Sequence, residues 1–491
     1  MPELWELSVE EVARRVRSRE VSAVEVTEAA LARTAQVEPL ISAYLEVFTE
    51  EARRQAGEVD RRIAAGEDPG PLAGVPVALK DNLSLTGHRL TCASRILEGY
   101  VAPYTATAVE RLLGAGAVIL GRANMDEFAM GSSCENSAFQ TTRNPWDLSK
   151  VPGGSSGGPA AAVAGGSVPL SFGSDTGGSV RQPAALSGIV GIKPTYGRVS
   201  RYGLVAFASS TDQIGPLARN VRDAALGLQV IAGPDPRDAT CSERPVEDYL
   251  GRIEEGIAGL KVGIIRNIDV AGLSAASARG WREGLGFLDR AGAEIVEVSV
   301  PSLDAAVAIY YVVAMSEASA NLARFDGVRY GRRAASDNLA DLYMASRSEG
   351  FGPEVKRRIM LGTFALSSGY YEAYYGRARG VLERMRRELD AAFEQADLLV
   401  TPTSPTSAFG IGEKMDDPLA MYLSDIFTAP ASVVGLPAFA VPTGLDDDGL
   451  PQSLQIMGRM FDEATVFRAC RAVERVAAWR VAPTFRGAEA R

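Results

Sequence analysis

The chain has 491 residues, of which 46% are hydrophobic, so it is long enough to bury a sizeable core, and the composition argues against disorder. Its net charge of −10 argues against a protein that holds a nucleic-acid backbone by itself, because neutralising phosphates needs clustered positive charge. Four scattered cysteines without a CxxC pair indicate neither a disulfide framework nor a metal site. We expect a cytoplasmic protein with no secretion signal and no membrane span.

Two helices are predicted at the start of the chain. Each begins at a capping-box sequence, Ser8 with Glu11 and Ser22 with Glu25, followed by apolar residues at helical spacing. This pattern predicts helices over about 8–18 and 22–36. We therefore assign residues 1–60 to an N-terminal helical segment.

The pattern changes to short strands after residue 74. Apolar runs at 75–79 and 117–120 predict buried strands, separated by a helical stretch over 106–114. Lys80 ends the first run, where desolvation at the edge of a buried strand favours the neutral amine. His88, the only histidine, follows in what looks like an exposed turn.

Residues 153–191 contain eleven glycines and seven serines. Apolar residues interleaved with them, such as those at 161–164, argue against a flexible linker. A phosphate-binding loop fits poorly, because no Gly-Lys-Ser/Thr follows and no GxGxxG lies between a strand and a helix. The run Gly153-x-Ser155-x-Gly157 matches the nucleophile elbow of α/β-hydrolases, but their triad needs a histidine after the serine, and none follows residue 88.

The rest of the chain alternates predicted strands, at 261–265, 294–300, 398–401 and 439–442, with helical patterns around 305–325, 354–396 and 463–480. Together these elements predict an α/β fold in which helices cover both faces of a large mixed β-sheet. We expect one large domain over 61–485, with a Gly/Ser-rich core at about 74–220 and a helical insertion at about 301–390.

A serine nucleophile activated without histidine is the interpretation that remains for the Gly/Ser-rich region. A single histidine excludes HExxH zinc sites, and a Ser-His-Asp triad could use only His88. A neutral lysine is the known substitute for the histidine base, whereas arginine cannot lose its proton. Only six lysines occur among the 51 basic residues, and Lys80 is the candidate base.

These residues resemble the amidase signature family. Lys80, Ser155 and Ser179 lie 75 and 24 residues apart, as in that family's Lys-Ser-Ser catalytic set. The blocks at 124–133, 324–331 and 366–371 are similar to the branch of the family that serves tRNA-dependent amidotransferases. The resemblance covers roughly residues 5–480.

The resemblance implies a glutaminase mechanism and an amidase signature fold. Ser179 would attack the side-chain amide of glutamine, Ser155 would relay the proton, and Lys80 would act as the base and later protonate the leaving ammonia. The peptide bond before Ser155 is expected to be cis. The oxyanion hole would consist of the backbone N–H groups of Thr176, Gly177, Gly178 and Ser179.

The resemblance also implies a charged pocket around the glutamine backbone. A buried carboxylate and ammonium must each meet an opposite charge. We assign these roles to Arg358 and Asp425, with Tyr310 lining the pocket. The adjacent Arg357 and Tyr311 stay open as alternatives.

The partners follow from the resemblance as well. Ammonia would pass to a B subunit that uses ATP and Mg²⁺ to amidate Glu-tRNA(Gln) or Asp-tRNA(Asn), and a small C subunit would clamp the two together. We therefore expect no cofactor in this chain and tRNA contact mainly through the B subunit. Two alternatives stay open: a stand-alone amidase that hydrolyses small amides with the same three residues, and a catalytically silent scaffold.

Overall fold

A mixed β-sheet is the centre of the protein in the computed structural model, which describes residues 3–266, 272–480 and 483–488. In these ranges eleven strands form one sheet: β1 Tyr44–Val47, β2 Pro76–Lys80, β3 Val118–Ala123, β4 Leu170–Asp175, β5 Val190–Lys193, β6 Gln213–Ala218, β7 Lys261–Ile265, β8 Glu294–Val298, β9 Leu398–Pro402, β10 Ala438–Leu445 and β11 Pro451–Met457. Their spatial order is β1-β3-β2-β4-β6-β5-β10-β11-β9-β7-β8. Parallel pairs (β3-β2-β4 and β9-β7-β8) flank a central antiparallel part, so the predicted mixed α/β sheet is confirmed.

Helices cover the sheet on both faces. The described α-helices are α1 Val9–Arg17, α2 Ala23–Ile41, α3 Thr49–Ala64, α4 Thr107–Gly114, α5 Gly157–Ala164, α6 Arg181–Ser187, α7 Val221–Ile231, α8 Tyr249–Arg252, α9 Ala275–Arg290, α10 Ala306–Asn321, α11 Leu339–Gly350, α12 Pro353–Leu366, α13 Arg377–Gln395, α14 Pro418–Tyr422, α15 Ala429–Val434 and α16 Glu463–Ala477. Successive residues of β9 show the two layers, because Leu398 and Val400 join one apolar cluster and Leu399 joins the other.

The N-terminal helices form as predicted, but the segment is not purely helical. Ser8 and Ser22 cap α1 and α2. The second capping box is complete, whereas the Glu11 carboxylate of the first pairs with arginines instead. Strand β1, which was not predicted, pairs antiparallel with β3 and so joins residues 44–47 to the main sheet.

The helix predicted over 354–396 is wrong in its extent, because two helices occupy this stretch. α12 ends at Leu366, and α13 begins at Arg377 after a π-helical turn at Glu372–Gly376. Gly369 lies between them with a φ of 89°, a conformation that breaks a helix. The region predicted as a helical insertion, about 301–390, contains α10 to α13 between β8 and β9.

One described helical stretch, Pro301–Arg324, is long and apolar enough to cross a membrane, and 56% of its apolar 18-residue window is buried inside the protein. It contains α10, which packs closely against α12. A Cβ atom at Gly362 of α12 would overlap the carbonyl oxygen of Met315 on α10. This close approach needs glycine at position 362.

Gly362→Ala should therefore destabilise the protein by about 1–3 kcal/mol, because the added methyl forces α12 away from α10. Gly380→Ala is the matched control, since a Cβ there meets nothing within 4 Å, and it should stabilise helix α13 by up to about 1 kcal/mol. Urea denaturation followed by circular dichroism measures both effects. Equal midpoints for the two variants would contradict the close packing.

Candidate active site

Lys80 is buried at the end of β2, where parallel pairing brings β2 and β4 to the same edge of the sheet. Its side chain has no exposed surface. The Nζ atom lies 2.8 Å from Ser155 Oγ, 2.9 Å from Ser156 Oγ, 3.0 Å from Ser174 Oγ and 3.2 Å from the Ser174 carbonyl oxygen. All four neighbours are uncharged oxygens, so no ion pair holds the ammonium form.

Burial lowers the pKa of Lys80 to about 7, and the carboxylates of Asp126 and Asp175 oppose this shift. Both carboxylates are engaged elsewhere. Asp126 accepts the backbone N–H groups of Cys134 and Asn136, and Asp175 pairs with Arg181 at 2.9 Å. A large fraction of Lys80 is therefore neutral near pH 7.

Burial alone does not single out Lys80, because Lys193 is also buried. Burial lowers the pKa of Lys193 to about 7 as well. Its Nζ donates to the Pro194 carbonyl oxygen, and no serine hydroxyl is among its hydrogen-bond partners in the described residues. Contact with a hydroxyl distinguishes Lys80 as a base that could activate serine.

Ser155 and Ser156 precede α5 in a stretch of continuous burial. Every residue from 151 to 195 is buried, which excludes a flexible linker in the Gly/Ser-rich region. The Gly154–Ser155 peptide bond is cis, as predicted. Ser156 Oγ donates to the Ser174 carbonyl oxygen, so Ser156 belongs to the cluster around Lys80.

Ser179 is next to this cluster and is the most accessible of the three predicted catalytic residues. It is 7% exposed, whereas Lys80 and Ser155 are completely buried. The Ser156 N–H donates to the Ser179 carbonyl oxygen at 3.0 Å, which ties the two segments together. Among the described residues the Ser179 hydroxyl forms no hydrogen bond, so the Ser155-to-Ser179 contact of the predicted relay is not made in this state.

The loop 176–179 is held from three sides. Thr176 Oγ1 donates to Asp212 at 2.7 Å, and Thr428 Oγ1 donates to the Gly177 carbonyl oxygen at 2.7 Å. A Cβ at Gly177 would overlap the Tyr310 ring, and one at Gly178, whose φ is 149°, would overlap Thr428. In the described part of the chain no hydrogen bond is donated by the N–H groups of Gly177, Gly178 and Ser179. These donors are thus free to meet a ligand.

Arg358 is buried on the inner face of α12. Its Nε donates to Glu354 at 2.7 Å, and its guanidinium lies 5.3 Å from the Tyr311 ring and 5.2 Å from the Tyr422 ring. Arg357 is instead 43% exposed in its side chain, and the two neighbours are therefore not equivalent. Within the described residues the two terminal nitrogens of Arg358 donate no hydrogen bond.

Asp425 is buried beside the loop 176–179. Ser132 Oγ donates to its Oδ2 at 2.7 Å, and burial raises the pKa of Asp425 to about 7. Gln182 connects this carboxylate to the cis peptide, since its Nε2 donates to the Ser132 carbonyl oxygen and its Oε1 accepts the Gly154 N–H, both at 2.9 Å.

A cavity of about 380 Å³ borders Arg358. Its lining includes Glu354, Lys414 and Tyr422, but not the three predicted catalytic residues. Elsewhere, His88 is partly buried against Phe48, 4.2 Å between ring centres, and its neighbours Gly87 and Arg89 are exposed in a turn, as predicted. No group of three or more His, Cys, Asp or Glu side chains in the described ranges could hold a metal ion.

Sequence reasoning missed several residues of the site. Ser174, Ser156, Asp212, Gln182 and Thr428 contact the predicted residues but carry no motif of their own. The only signal was the position of Ser156, Ser174 and Gln182 inside the Gly/Ser-rich region. The others approach through contacts that spacing along the chain does not encode.

Comparison with known proteins shows the family to which the chain belongs. A family model described as Amidase matches residues 25–467, and the chain belongs to the amidase family. Over 473 residues it is 54% identical to the A subunit of the glutamyl-tRNA(Gln) amidotransferase of Carboxydothermus hydrogenoformans, covering 96% of this chain and 97% of that relative.

Solved structures of amidases also match the chain over nearly its whole length. The A subunit of the glutamyl-tRNA(Gln) amidotransferase of Thermotoga maritima matches with a TM-score of 0.81 and 44% identity over 97% of this chain and 96% of that one. The native peptide amidase of Stenotrophomonas maltophilia matches with a TM-score of 0.84 and 31% identity, over 98% and 99%.

Thr428→Val should lower kcat for amide hydrolysis by about 10- to 100-fold, because the loop with the free N–H donors loses the hydroxyl that fixes its position. Thr428→Ser keeps the hydroxyl and should keep most of the activity. Steady-state kinetics with both variants tests this. Equal rates for valine and serine would show that the bond to Gly177 does not matter.

Proposed function

We propose that this amidase-family enzyme is the glutamine-hydrolysing component of a tRNA-dependent amidotransferase. One observation carries the proposal: a buried lysine amine contacts a serine hydroxyl beside a loop of free N–H donors, in a chain that matches the A subunits of such enzymes over nearly its whole length. The resulting reaction releases ammonia from glutamine.

The hydrogen bonds around Lys80 support Ser155 as the proton relay. A neutral amine has two hydrogens and one lone pair. The Ser174 carbonyl can only accept, and the Ser156 hydroxyl is already donated to that carbonyl, so these two groups take the amine hydrogens. The lone pair then faces the two remaining hydroxyls, Ser155 Oγ at 2.8 Å and Ser174 Oγ at 3.0 Å, and Ser155 is the nearer of the two.

Ser179 acts as the nucleophile in this mechanism. Its oxygen attacks the side-chain amide carbon of glutamine while its proton passes to Ser155 Oγ and the Ser155 proton passes to Lys80. When the carbon–nitrogen bond breaks, Lys80 returns the proton through Ser155 to the leaving nitrogen, which departs as ammonia. The glutamyl ester on Ser179 is then hydrolysed to glutamate.

The oxyanion of the tetrahedral intermediate forms beside the loop 176–179. The free N–H groups of Gly177, Gly178 and Ser179, with that of Thr176, would donate to it. Such donors are effective in a water-excluded site because they do not reorganise during the reaction. The contacts of Tyr310 and Thr428 with the two glycines support this role.

Arg358 and Asp425 would bind the two charges of the glutamine backbone. The free terminal nitrogens of Arg358 suit a carboxylate, and Asp425 suits an ammonium. No hydrogen bond or ion pair joins the two among the described residues, so neither charge is consumed by the other. Tyr310 lies near both groups: the charge of Arg358 lowers the pKa of its hydroxyl, and the charge of Asp425 raises it.

The partner proteins complete the proposed reaction. The B subunit would use ATP and Mg²⁺ to activate Glu-tRNA(Gln) or Asp-tRNA(Asn), and the ammonia would reach it without release to solvent. The C subunit would hold the other two together. The net charge of −10 is consistent with leaving tRNA to these partners.

Ser179→Ala, Ser155→Ala and Lys80→Met should each lower glutaminase kcat by at least about 1,000-fold. Lys80→Arg should fail as completely, because arginine keeps the positive charge but cannot accept the proton. Ammonia release by the purified chain, alone and with the B and C subunits, measures this. Substantial activity in Lys80→Arg would exclude a lysine base.

The same assay distinguishes the alternatives. A stand-alone amidase would hydrolyse small amides and peptide amides as fast as glutamine without any partner. A silent scaffold would leave Ser179 unlabelled by a serine-directed acylating probe. The proposed function requires a preference for glutamine and labelling that is lost in Ser179→Ala.

The pH dependence should separate Lys80 from Asp425. Lys80 is active when neutral, above its pKa of about 7, so kcat should fall about tenfold per pH unit below that value. Asp425 must be ionised to bind the ammonium, and its pKa is also about 7 in the free enzyme. The acid limb of kcat/KM should therefore approach a slope of about two on logarithmic axes.

Asp425→Asn is the control variant. It should raise KM for glutamine and reduce the slope of the acid limb of kcat/KM to about one, while the acid limb of kcat stays. Rates measured with glutamine from about pH 5.5 to about 8.5 provide both profiles. A kcat that does not change across this range would contradict the neutral-lysine mechanism.

A further inference from the structure

Glu354, which the proposed mechanism does not use, lies one helical turn before Arg358 on α12. Residues four apart on a helix are neighbours on its surface, and a glutamate that precedes the basic residue is the favourable order. Arg358 Nε donates to Glu354 Oε1 at 2.7 Å. The side chains of Glu354 and Arg358 are only 11% and 3% exposed, so the ion pair is largely removed from water. Glu354 is therefore a counterion of the buried guanidinium.

The hydrogen bond to Glu354 limits how Arg358 can bind a carboxylate. A guanidinium has one Nε–H group and four N–H groups on its two terminal nitrogens, arranged in a rigid fork. It can bind a carboxylate through two parallel hydrogen bonds, either from Nε and one terminal nitrogen or from both terminal nitrogens. Because Nε donates to Glu354, only the second arrangement is left.

Aromatic rings restrict the motion of the same guanidinium. It lies 5.3 Å from the Tyr311 ring, 5.2 Å from the Tyr422 ring and 5.7 Å from the Phe207 ring. The Tyr311 and Tyr422 rings are stacked on each other, with 4.1 Å between their centres. Attraction between a cation and a ring acts through the ring face and does not distinguish the edges of a guanidinium. The hydrogen bond to Glu354 therefore sets which edge stays free.

Glu354 is itself held in place. Tyr422 Oη donates to Glu354 Oε1 at 2.8 Å, and Arg357 Nη1 donates to Oε2. The start of α12 is fixed as well, because the N–H of Gly352, the N-cap residue, donates to Glu127 Oε2 at 2.8 Å. Glu354 thus offers the guanidinium an acceptor oxygen in a fixed position.

The charge of this cluster suits a carboxylate ligand. The two oxygens of Glu354 face different guanidiniums, so Arg357 and Arg358 share one negative charge and the three side chains keep a net charge of +1. An anionic substrate group is therefore still attracted. Arg358 and Glu354 both line the cavity of about 380 Å³, so the oriented guanidinium borders open space.

We propose that Glu354 is a positioning residue that holds Arg358 by its Nε, so that both terminal nitrogens bind the α-carboxylate of glutamine. Glu354 then determines specificity for amides that carry a free α-carboxylate. The inference rests on the proposed function, which takes that carboxylate to be the ligand of Arg358. In this role Glu354 acts through Arg358 and not on the reacting amide, so its loss changes KM rather than kcat.

The test compares two substrates of the full chain. Glu354→Met removes the acceptor oxygens at similar side-chain length and should raise KM for glutamine by about 20-fold or more, with kcat changed less than about threefold. The second substrate is 4-aminobutanamide, which is glutamine without its α-carboxylate. Its kcat/KM should change less than about threefold in Glu354→Met, because it offers Arg358 no ligand. Ammonia release measures both reactions.

Glu349→Met is the matched control. Glu349 lines the same cavity, but it pairs with Arg332 at 2.9 Å and forms no hydrogen bond with Arg358 among the described residues. Its substitution should leave KM for glutamine within about twofold of the wild-type value, because an exposed ion pair contributes little.

Two milder variants test the inference even if Glu354→Met leaves the buried guanidinium without a counterion and does not fold. Glu354→Gln keeps an oxygen that can accept the Nε–H and should keep KM for glutamine within about fivefold of the wild-type value. Tyr422→Phe keeps the ring but removes the hydroxyl that fixes Glu354, and it should raise this KM by about 2- to 10-fold without affecting 4-aminobutanamide. Circular dichroism shows whether each variant is folded.

A double-mutant cycle tests whether Glu354 acts through Arg358. Arg358→Met should raise KM for glutamine strongly by itself. Adding Glu354→Met to it should change KM further by less than about twofold, because the group that Glu354 positions is already absent.

Several results would overturn the inference. These are a wild-type preference for glutamine over 4-aminobutanamide in folded Glu354→Met, a Glu354→Gln chain as impaired as Glu354→Met, an equal loss on both substrates in Tyr422→Phe, or independent effects of the two substitutions in the cycle. Failure of the proposed function is distinct, because the wild-type chain would then show no preference for glutamine over 4-aminobutanamide.

Discussion

The active site depends on one constraint, the burial of the Lys80 amine among uncharged oxygens. An ammonium group removed from water without a counterion is strongly disfavoured, and the neutral amine is the form that can take a proton from serine. A carboxylate close to Nζ would restore the charge and remove the base. The site avoids this because Arg181 balances Asp175, and backbone N–H groups solvate Asp126.

The continuous burial from 151 to 195 follows from the same constraint. Several strand ends and loops must approach Lys80 closely enough to exclude water, and side chains larger than those of glycine and serine would keep them apart. Gly177 and Gly178 show this directly, because Tyr310 and Thr428 occupy the space that their Cβ atoms would need. Serine supplies hydroxyls at little cost in volume, which explains why the two residue types dominate this region.

The sequence predicted the elements whose signals are local. Strand β2 ending at Lys80 and the two capped N-terminal helices agree with the structure, and so does the cis bond before Ser155, which the family resemblance implied. Strands β4 to β6 were missed because glycine, serine and Pro216 interrupt their apolar pattern. Thr428 and Gln182 were missed because their roles arise from contacts between distant segments, and the break between α12 and α13 was missed because helical spacing continues across Gly369.

The inner and outer sides of α12 differ in the contacts that they make. Its inner side needs Gly362 to approach α10 and a buried Arg358 whose charge is held between aromatic rings. Its outer side has no such packing within the described part of the chain, and exposing apolar and aromatic residues there opposes solubility. A chain that acted alone would gain by replacing them with polar residues. The residues of α12 are thus explained by its contacts on the inner side, whereas its outer side stays exposed in the described part of the chain.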